Sequence, residues 1–235
     1  MHPHARRRFL VFAALLPALP LAARAAQPLK IGTLGAGRIG STLGELWVKA
    51  GHPVMFSSRH PEELKGLVTS LGPLAQAGTV ADAIAFADVV LLAVPYRALP
   101  EIGKAHAGAL AQKAAVIDAC NPFPHRDGEI AVWAREKGAG LATQALLPGA
   151  KLVRAFNAIS YARMAQIGRG REGVGMPIAG EDAGALEVAA TLIREAGFEP
   201  VRVGGLAMGR HLVPGTALAG EHSPAEIRRI AATLQ

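Results

Sequence analysis

The segment Gly35-Ala36-Gly37-Arg38-Ile39-Gly40 constrains the fold more than any other stretch of this chain. It reads G-x-G-x-x-G. It follows the short apolar run from Leu29 to Leu34 and opens a stretch with helical spacing, in which Ile39, Leu43, Leu46 and Trp47 share one face. Strand, glycine turn and helix in that order make a βα unit that cradles phosphate. The first glycine allows the tight turn, the second lets backbone approach a pyrophosphate, and the third lets helix and strand pack closely. The helix start then offers free N–H groups and the positive end of its dipole. All six residues are expected to contact a dinucleotide.

The end of the second strand selects the dinucleotide. Val54-Met55-Phe56 reads as that strand, and Ser57-Ser58-Arg59 follows. An acidic residue here would bind the ribose 2′-hydroxyl of NAD. A hydroxyl and a guanidinium instead suit a 2′-phosphate, which arginine pairs in bidentate fashion. Ser58 and Arg59 are therefore expected to hold NADP. The rival NAD reading would use Glu62 or Glu63, both expected on the next helix, which Pro61 opens.

Strands and helices continue to alternate. Asp88 to Val94 is an apolar run read as the fourth strand, with Val94 and Pro95 at its end and expected beside the cofactor together with Tyr96. Ala114 to Asp118, Lys151 to Phe156, Pro177 to Ala179 and Pro200 to Val203 read as further strands, and Asp182 to Ala196 as a helix. This pattern predicts an α/β Rossmann-type doubly wound parallel sheet. A boundary near Leu147-Pro148-Gly149 divides a nucleotide-binding domain, residues 27–148, from a small C-terminal lobe, residues 149–235, that completes a cleft. With 51% hydrophobic and 18% charged residues the chain can fill a real core.

The formal charge of +7 is uneven. Arg6, Arg7, Arg8 and Arg24 place +4 in the first 26 residues, which hold no acid. The rest has no dense basic run, so nucleic-acid binding is not expected. Residues 1–25 read as a signal peptide: a basic start, an apolar stretch from Phe9 to Ala23, and the small-x-small site Ala23-Arg24-Ala25. Arg6-Arg7-Arg8-Phe9-Leu10 resembles a twin-arginine signal, a route that exports folded proteins. The expectation is export, periplasmic or extracellular, after cleavage near Ala25, with membrane contact through the signal alone.

Taken together, the residues resemble the NADP oxidoreductases dependent on coenzyme F420, a deazaflavin. The resemblance runs from Ile31 to Gly40 through Gly51-His52-Pro53-Val54 and Ser57-Ser58-Arg59. It continues through Ala87 to Val90, Val94-Pro95, Val116 to Asp118, Asn121-Pro122 and Val153-Arg154-Ala155-Phe156-Asn157. It ends in Gly197 to Val201, Gly205-Leu206 and Arg210. It implies direct hydride transfer between NADPH and a deazaflavin or flavin-like acceptor, without a covalent nucleophile. By position, Ala36 to Ile39, Ser58 and Arg59 would hold NADP. Val94, Pro95 and Ala155 would sit near the nicotinamide. Leu206, with Asn157, would face the second ring.

Other residues carry weaker signals. Asn157 suits either a cofactor contact or a turn. Cys120 is expected to be a buried, inert thiol, and no Cys/His cluster has metal spacing. His125 and His211 are candidates for proton handling but read more simply as surface or packed histidines. Two other functions compete. One is an imine or hydroxy-acid reductase, which usually needs a larger helical domain. The other is a non-catalytic NADP(H)-binding module, favoured if no apolar cleft lies beside Leu206 and Asn157. A small-molecule redox acceptor is the expected partner, and a homodimer is left open.

Overall fold

The computed structural model describes residues 27–167 and 173–234. The expected signal peptide lies outside the described residues. Eight strands form one sheet: β1 (Ile31–Leu34), β2 (Val54–Ser57), β3 (Ala75–Gly78), β4 (Val89–Leu92), β5 (Ala115–Asp118), β6 (Leu152–Arg154), β7 (Gly175–Gly180) and β8 (Glu199–Gly204). Their spatial order is β3-β2-β1-β4-β5-β6-β7-β8. The order reverses between β1 and β4, and such a switch point opens a crevice beyond the carboxyl ends of the strands.

The helices are α1 (Arg38–Lys49), α2 (Lys65–Leu71), α3 (Val80–Phe86), α4 (Leu99–Ala111) and α5 (Pro124–Asp127). They continue with α6 (Glu129–Lys137), α7 (Ala139–Leu146), α8 (Tyr161–Ile167), α9 (Ala183–Glu195) and α10 (Pro224–Ala232). The apolar run of β4 has a direct cause. Val89 and Leu91 face one core, with Leu43 and Trp47 of α1 and Leu192 of α9. Val90 and Leu92 face the other, with Ile84 of α3, Leu99 of α4 and Ala142 of α7. A strand covered on both faces has no polar side to alternate with. Trp47 Nε1–H donates to the Leu192 carbonyl at 2.8 Å and joins α1 to α9.

The sheet is mostly parallel, as predicted, with one reversal. β7 runs antiparallel to β6, and β8 is parallel to β7. The chain re-enters the sheet at the edge where it left β6. The stretch expected to form a small lobe thus contributes β6, β7 and β8 to this same sheet. Their outer core is Val201, Val203, Leu212, Leu218 and Ile227 of α10.

Two predicted strands are shorter than expected. β4 stops at Leu92, so Val94 and Pro95 belong to the following turn. β6 stops at Arg154, because Phe156 adopts φ 65°, a left-handed conformation incompatible with a strand. β3 was not singled out in the sequence. Its residues, Ala-Gln-Ala-Gly, carry no strong apolar or β-branched signal, and pairing with β2 organises it.

Candidate functional site

The glycine turn lies at the carboxyl end of β1, beside the switch point. Gly35 has φ 96°, and a Cβ there would meet the Ala93 carbonyl oxygen at 2.7 Å. A Cβ on Gly40 would stand 1.9 Å from the Gly35 carbonyl oxygen. Gly37 differs, because a Cβ on it would meet nothing within 4 Å. Gly35 and Gly40 are therefore required by the turn itself, whereas Gly37 faces open space.

Gly37 is also the N-cap of α1, and no side chain caps that helix. The first N–H groups of a helix lack intrahelical partners. Ser41 Oγ donates to the Gly37 carbonyl at 2.8 Å and so does not serve them. Arg38 and Gly37 are exposed, while Ala36 and Ile39 are half-buried. Uncapped N–H groups, open space over Gly37 and a positive helix end together fit a pyrophosphate.

The end of β2 is fastened to this turn. Ala36 N–H donates to the Ser57 carbonyl at 2.9 Å, and Gly35 N–H to Ser57 Oγ at 3.3 Å. Ser57 is fully buried and is thereby structural. Ser58 is half-buried, and its Oγ accepts from His60 N–H at 3.0 Å. Arg59 is exposed, and no acidic residue stands on the strand end beside it. Glu62 and Glu63 lie on the following 3₁₀ turn, Pro61–Leu64, as the sequence predicts. A 2′-phosphate is compatible with this corner, and a ribose-binding carboxylate is missing from it.

Val94 is half-buried and Pro95 exposed, at the end of β4 across from the glycine turn. Tyr96 departs from expectation. It is fully buried, and its hydroxyl bonds Thr143 Oγ1 at 3.1 Å, so it packs under α7 instead of lining the crevice. Burial also pushes its hydroxyl above the ordinary tyrosine range.

The carboxyl ends of β5 and β6 hold a buried ion pair that sequence reading did not single out as such. Arg154 and Asp118 are at most 1% exposed and meet at 2.7 Å. Arg154 uses every N–H it has. Nη1 donates to Asp118 Oδ2 and the Cys120 carbonyl, Nη2 to Asn121 Oδ1 and the Leu212 carbonyl, and Nε to the Gly209 carbonyl. This guanidinium fixes the loop after β5 against the 3₁₀ turn Leu206–His211. A motif in which arginine precedes A-F-N was the one available signal.

Asn157 donates through Nδ2 to the carbonyls of Asp118 and Cys120 at 3.0 and 3.2 Å. Its Oδ1 is buried with no hydrogen-bond partner among the described residues. It borders a cavity of about 10 Å³ with Ile159, Met176 and Leu218, far too small for an aromatic ring. Ala155 is fully buried at the start of this loop. Leu206 is 3% exposed and belongs to the core beneath α7, where its carbonyl presses against Gly140. The expectation that Leu206 faces a ring is therefore not met: the turn that carries it folds inward over the sheet. Cys120 is 2% exposed, and burial, aided by Asp118, pushes its thiol well up. His125 is exposed against Phe123, and His211 is half-buried.

Fold and site together define the class: a Rossmann-type dinucleotide-binding protein related to the NADP oxidoreductases. Residues 30–122 match the family described as NADP oxidoreductase coenzyme F420-dependent. A hypothetical protein from Sinorhizobium meliloti is 30% identical with TM-score 0.64, over 83% of this chain and 95% of that one, so the two belong to one family. Metalloreductase STEAP3 of Rattus norvegicus is 28% identical over 191 residues, 78% of this chain but only 35% of that protein's length. A candidate F420-dependent NADP reductase from Arthrobacter sp. FB24 shares the fold, with TM-score 0.64 at 23% identity over 88% and 94% of the two chains.

Proposed function

We propose that this protein transfers hydride between NADP(H) and a deazaflavin or flavin-like acceptor. The observation that carries the reading is the glycine turn: closed by sterics at Gly35 and Gly40, open at Gly37, with Arg59 beyond it and no carboxylate at the end of β2. NADPH supplies the hydride from its nicotinamide ring. The chain's own residues bind and orient. The turn from Gly35 to Gly40 holds the pyrophosphate through backbone N–H groups, and Arg59 with Ser58 holds the 2′-phosphate. Val94 and Pro95 border the ring, and the Arg154–Asp118 pair keeps the opposite wall rigid. Positioning and exclusion of water are the whole contribution, since direct hydride transfer needs no nucleophile.

No apolar cleft that could take a ring lies beside Leu206 and Asn157 among the described residues, which favours a binding module without catalysis; the family match at residues 30–122 is what supports the redox role against it. The same reading carries export: the basic start and small-x-small site support a twin-arginine route that delivers the folded protein.

The test is a titration of the purified protein with NADPH and NADH, followed by nicotinamide fluorescence, with Arg59→Asp in parallel. Oxidised flavin or coenzyme F420 is then added. The expected result is preference for NADPH, lost in the variant, and bleaching of an acceptor. Binding without turnover of either acceptor would favour the module; no binding of either nucleotide would remove the reading.

A further inference from the structure

An open cleft of about 380 Å³ lies beside the strand ends, between the start of α7 and the segment 210–216. That volume falls within the usual range of small-molecule sites. Arg135 and Arg210 line it together with Ala139, Val213 and Thr216, and no acidic residue does. Arg135 Nε donates to the Pro122 carbonyl at 3.2 Å, which leaves its two terminal nitrogens for a ligand. Pro122 follows β5, the neighbour of β4 in the sheet, so Arg135 is anchored on the loop at the carboxyl end of β5.

Arg210 lies across the turn between α6 and α7, where a Cβ added to Gly138 would meet its guanidinium at 3.5 Å, and its guanidinium bonds no protein group among the described residues. Its backbone is held firmly. Arg154 grips the Gly209 carbonyl on one side and the Leu212 carbonyl on the other. Thr216 Oγ1 donates to the His211 and Val213 carbonyls at 2.6 and 2.9 Å and closes the loop. Ala139, the first residue of α7, borders the same space, so a helix N-terminus adds to the positive potential.

We propose that this cleft binds the anionic part of the electron acceptor, a phosphate or carboxylate group, through Arg135 and Arg210. The inference rests on the oxidoreductase reading and deepens it. Two guanidinium groups lining one space suit a group with several acceptor oxygens, whereas a neutral ring would leave both charges unmatched. Acceptors with a charged tail are then selected over their neutral parents. The wide, polar mouth holds the tail, and the crevice beside Val94 and Pro95 holds the ring.

FMN and riboflavin are the probes, since they share one ring and differ by a phosphate. Their binding to the full protein is followed by flavin fluorescence with saturating NADP present, at low and high salt. The expected result is roughly tenfold tighter binding of FMN, weakening with salt. Arg210→Ala and Arg135→Ala each remove most of that preference while riboflavin and NADPH affinities stay unchanged. Arg210→Ala is also expected to leave thermal stability unaltered, because Arg210 supports nothing else. Equal affinity for the two flavins, binding of neither, or a preference that survives both substitutions overturns the proposal. If NADPH fails to bind yet the FMN preference appears and depends on both arginines, the cleft stands and the oxidoreductase reading falls. If NADPH bleaches both flavins equally in every variant, the reverse holds.

Discussion

Arg154 and Asp118 meet at 2.7 Å in full burial, and the arginine alone ties together the ends of β5 and β6 and the turn at Gly209. Removing one partner of a buried pair leaves an uncompensated charge, which costs about 3–5 kcal/mol. Arg154→Met is expected to lose stability on that scale in urea unfolding. Arg154→Lys is expected to recover little, because an ammonium cannot reach the five acceptors a guanidinium serves. The double variant Arg154→Met with Asp118→Asn should be more stable than Arg154→Met alone.

Two glycines of the turn, Gly40 and Gly37, should fail in different ways. Gly40→Ala forces a methyl onto the Gly35 carbonyl oxygen, so it is expected to cost about 1–3 kcal/mol or more and to displace α1. Gly37 has φ −72° and open space, so Gly37→Ala should fold with an unchanged melting temperature. It should still weaken NADPH binding, since the methyl occupies the space over the helix start. Equal loss of stability in both variants would contradict this division.

Arg38 stacks over the Tyr161 ring, 5.2 Å from its centroid, at the mouth of the glycine turn. Exposed contacts of this kind are worth about 0.5–1 kcal/mol. Tyr161→Ala frees Arg38 and is expected to weaken NADPH binding roughly two- to fivefold, with Tyr161→Phe restoring it, as read by fluorescence titration.

Cys120 is buried, and its raised thiol is expected to resist alkylation in the folded protein at mildly alkaline pH. Iodoacetamide labelling should require urea. Labelling of the native protein would show that the loop after β5 opens.

Burial by itself raises the Asp127 carboxyl, but hydrogen bonds from Arg126 and the Phe123 N–H outweigh it and hold the group below its ordinary value of 3.8. A carboxyl lowered on folding adds stability that is complete above its unfolded value. That stability is lost as pH falls through the folded one. Urea midpoints should therefore drop between pH 5 and the acid range, and Asp127→Asn should flatten the decline while lowering the plateau at neutral pH.

Much of this molecule was legible from residues close together in the chain. The apolar run of β4 and the stripe of Leu43, Leu46 and Trp47 follow local periodicity, and the turn from Gly35 to Gly40 follows local stereochemistry. The positions of Ser58 and Arg59 were legible because a strand end delivers its next residues to the same sheet edge every time; their expected role at a 2′-phosphate belongs to the proposed function. Tyr96 and Leu206 were misjudged for one shared reason: each follows a strand or turn expected at the crevice, but α7 covers both, and no local pattern announces which helix will lie over a side chain.

The sequence by itself determined the alternating β and α elements, the glycine turn and the basic corner beyond β2, since each depends on spacing within a few residues. Only the tertiary structure decided that β7 would reverse against β6, that Arg154 would be buried with all its donors matched, and that Arg135 and Arg210 would face one cleft. Those outcomes join segments far apart in the chain. Their energies come from burial and from pairing across the sheet, which no short stretch of residues encodes.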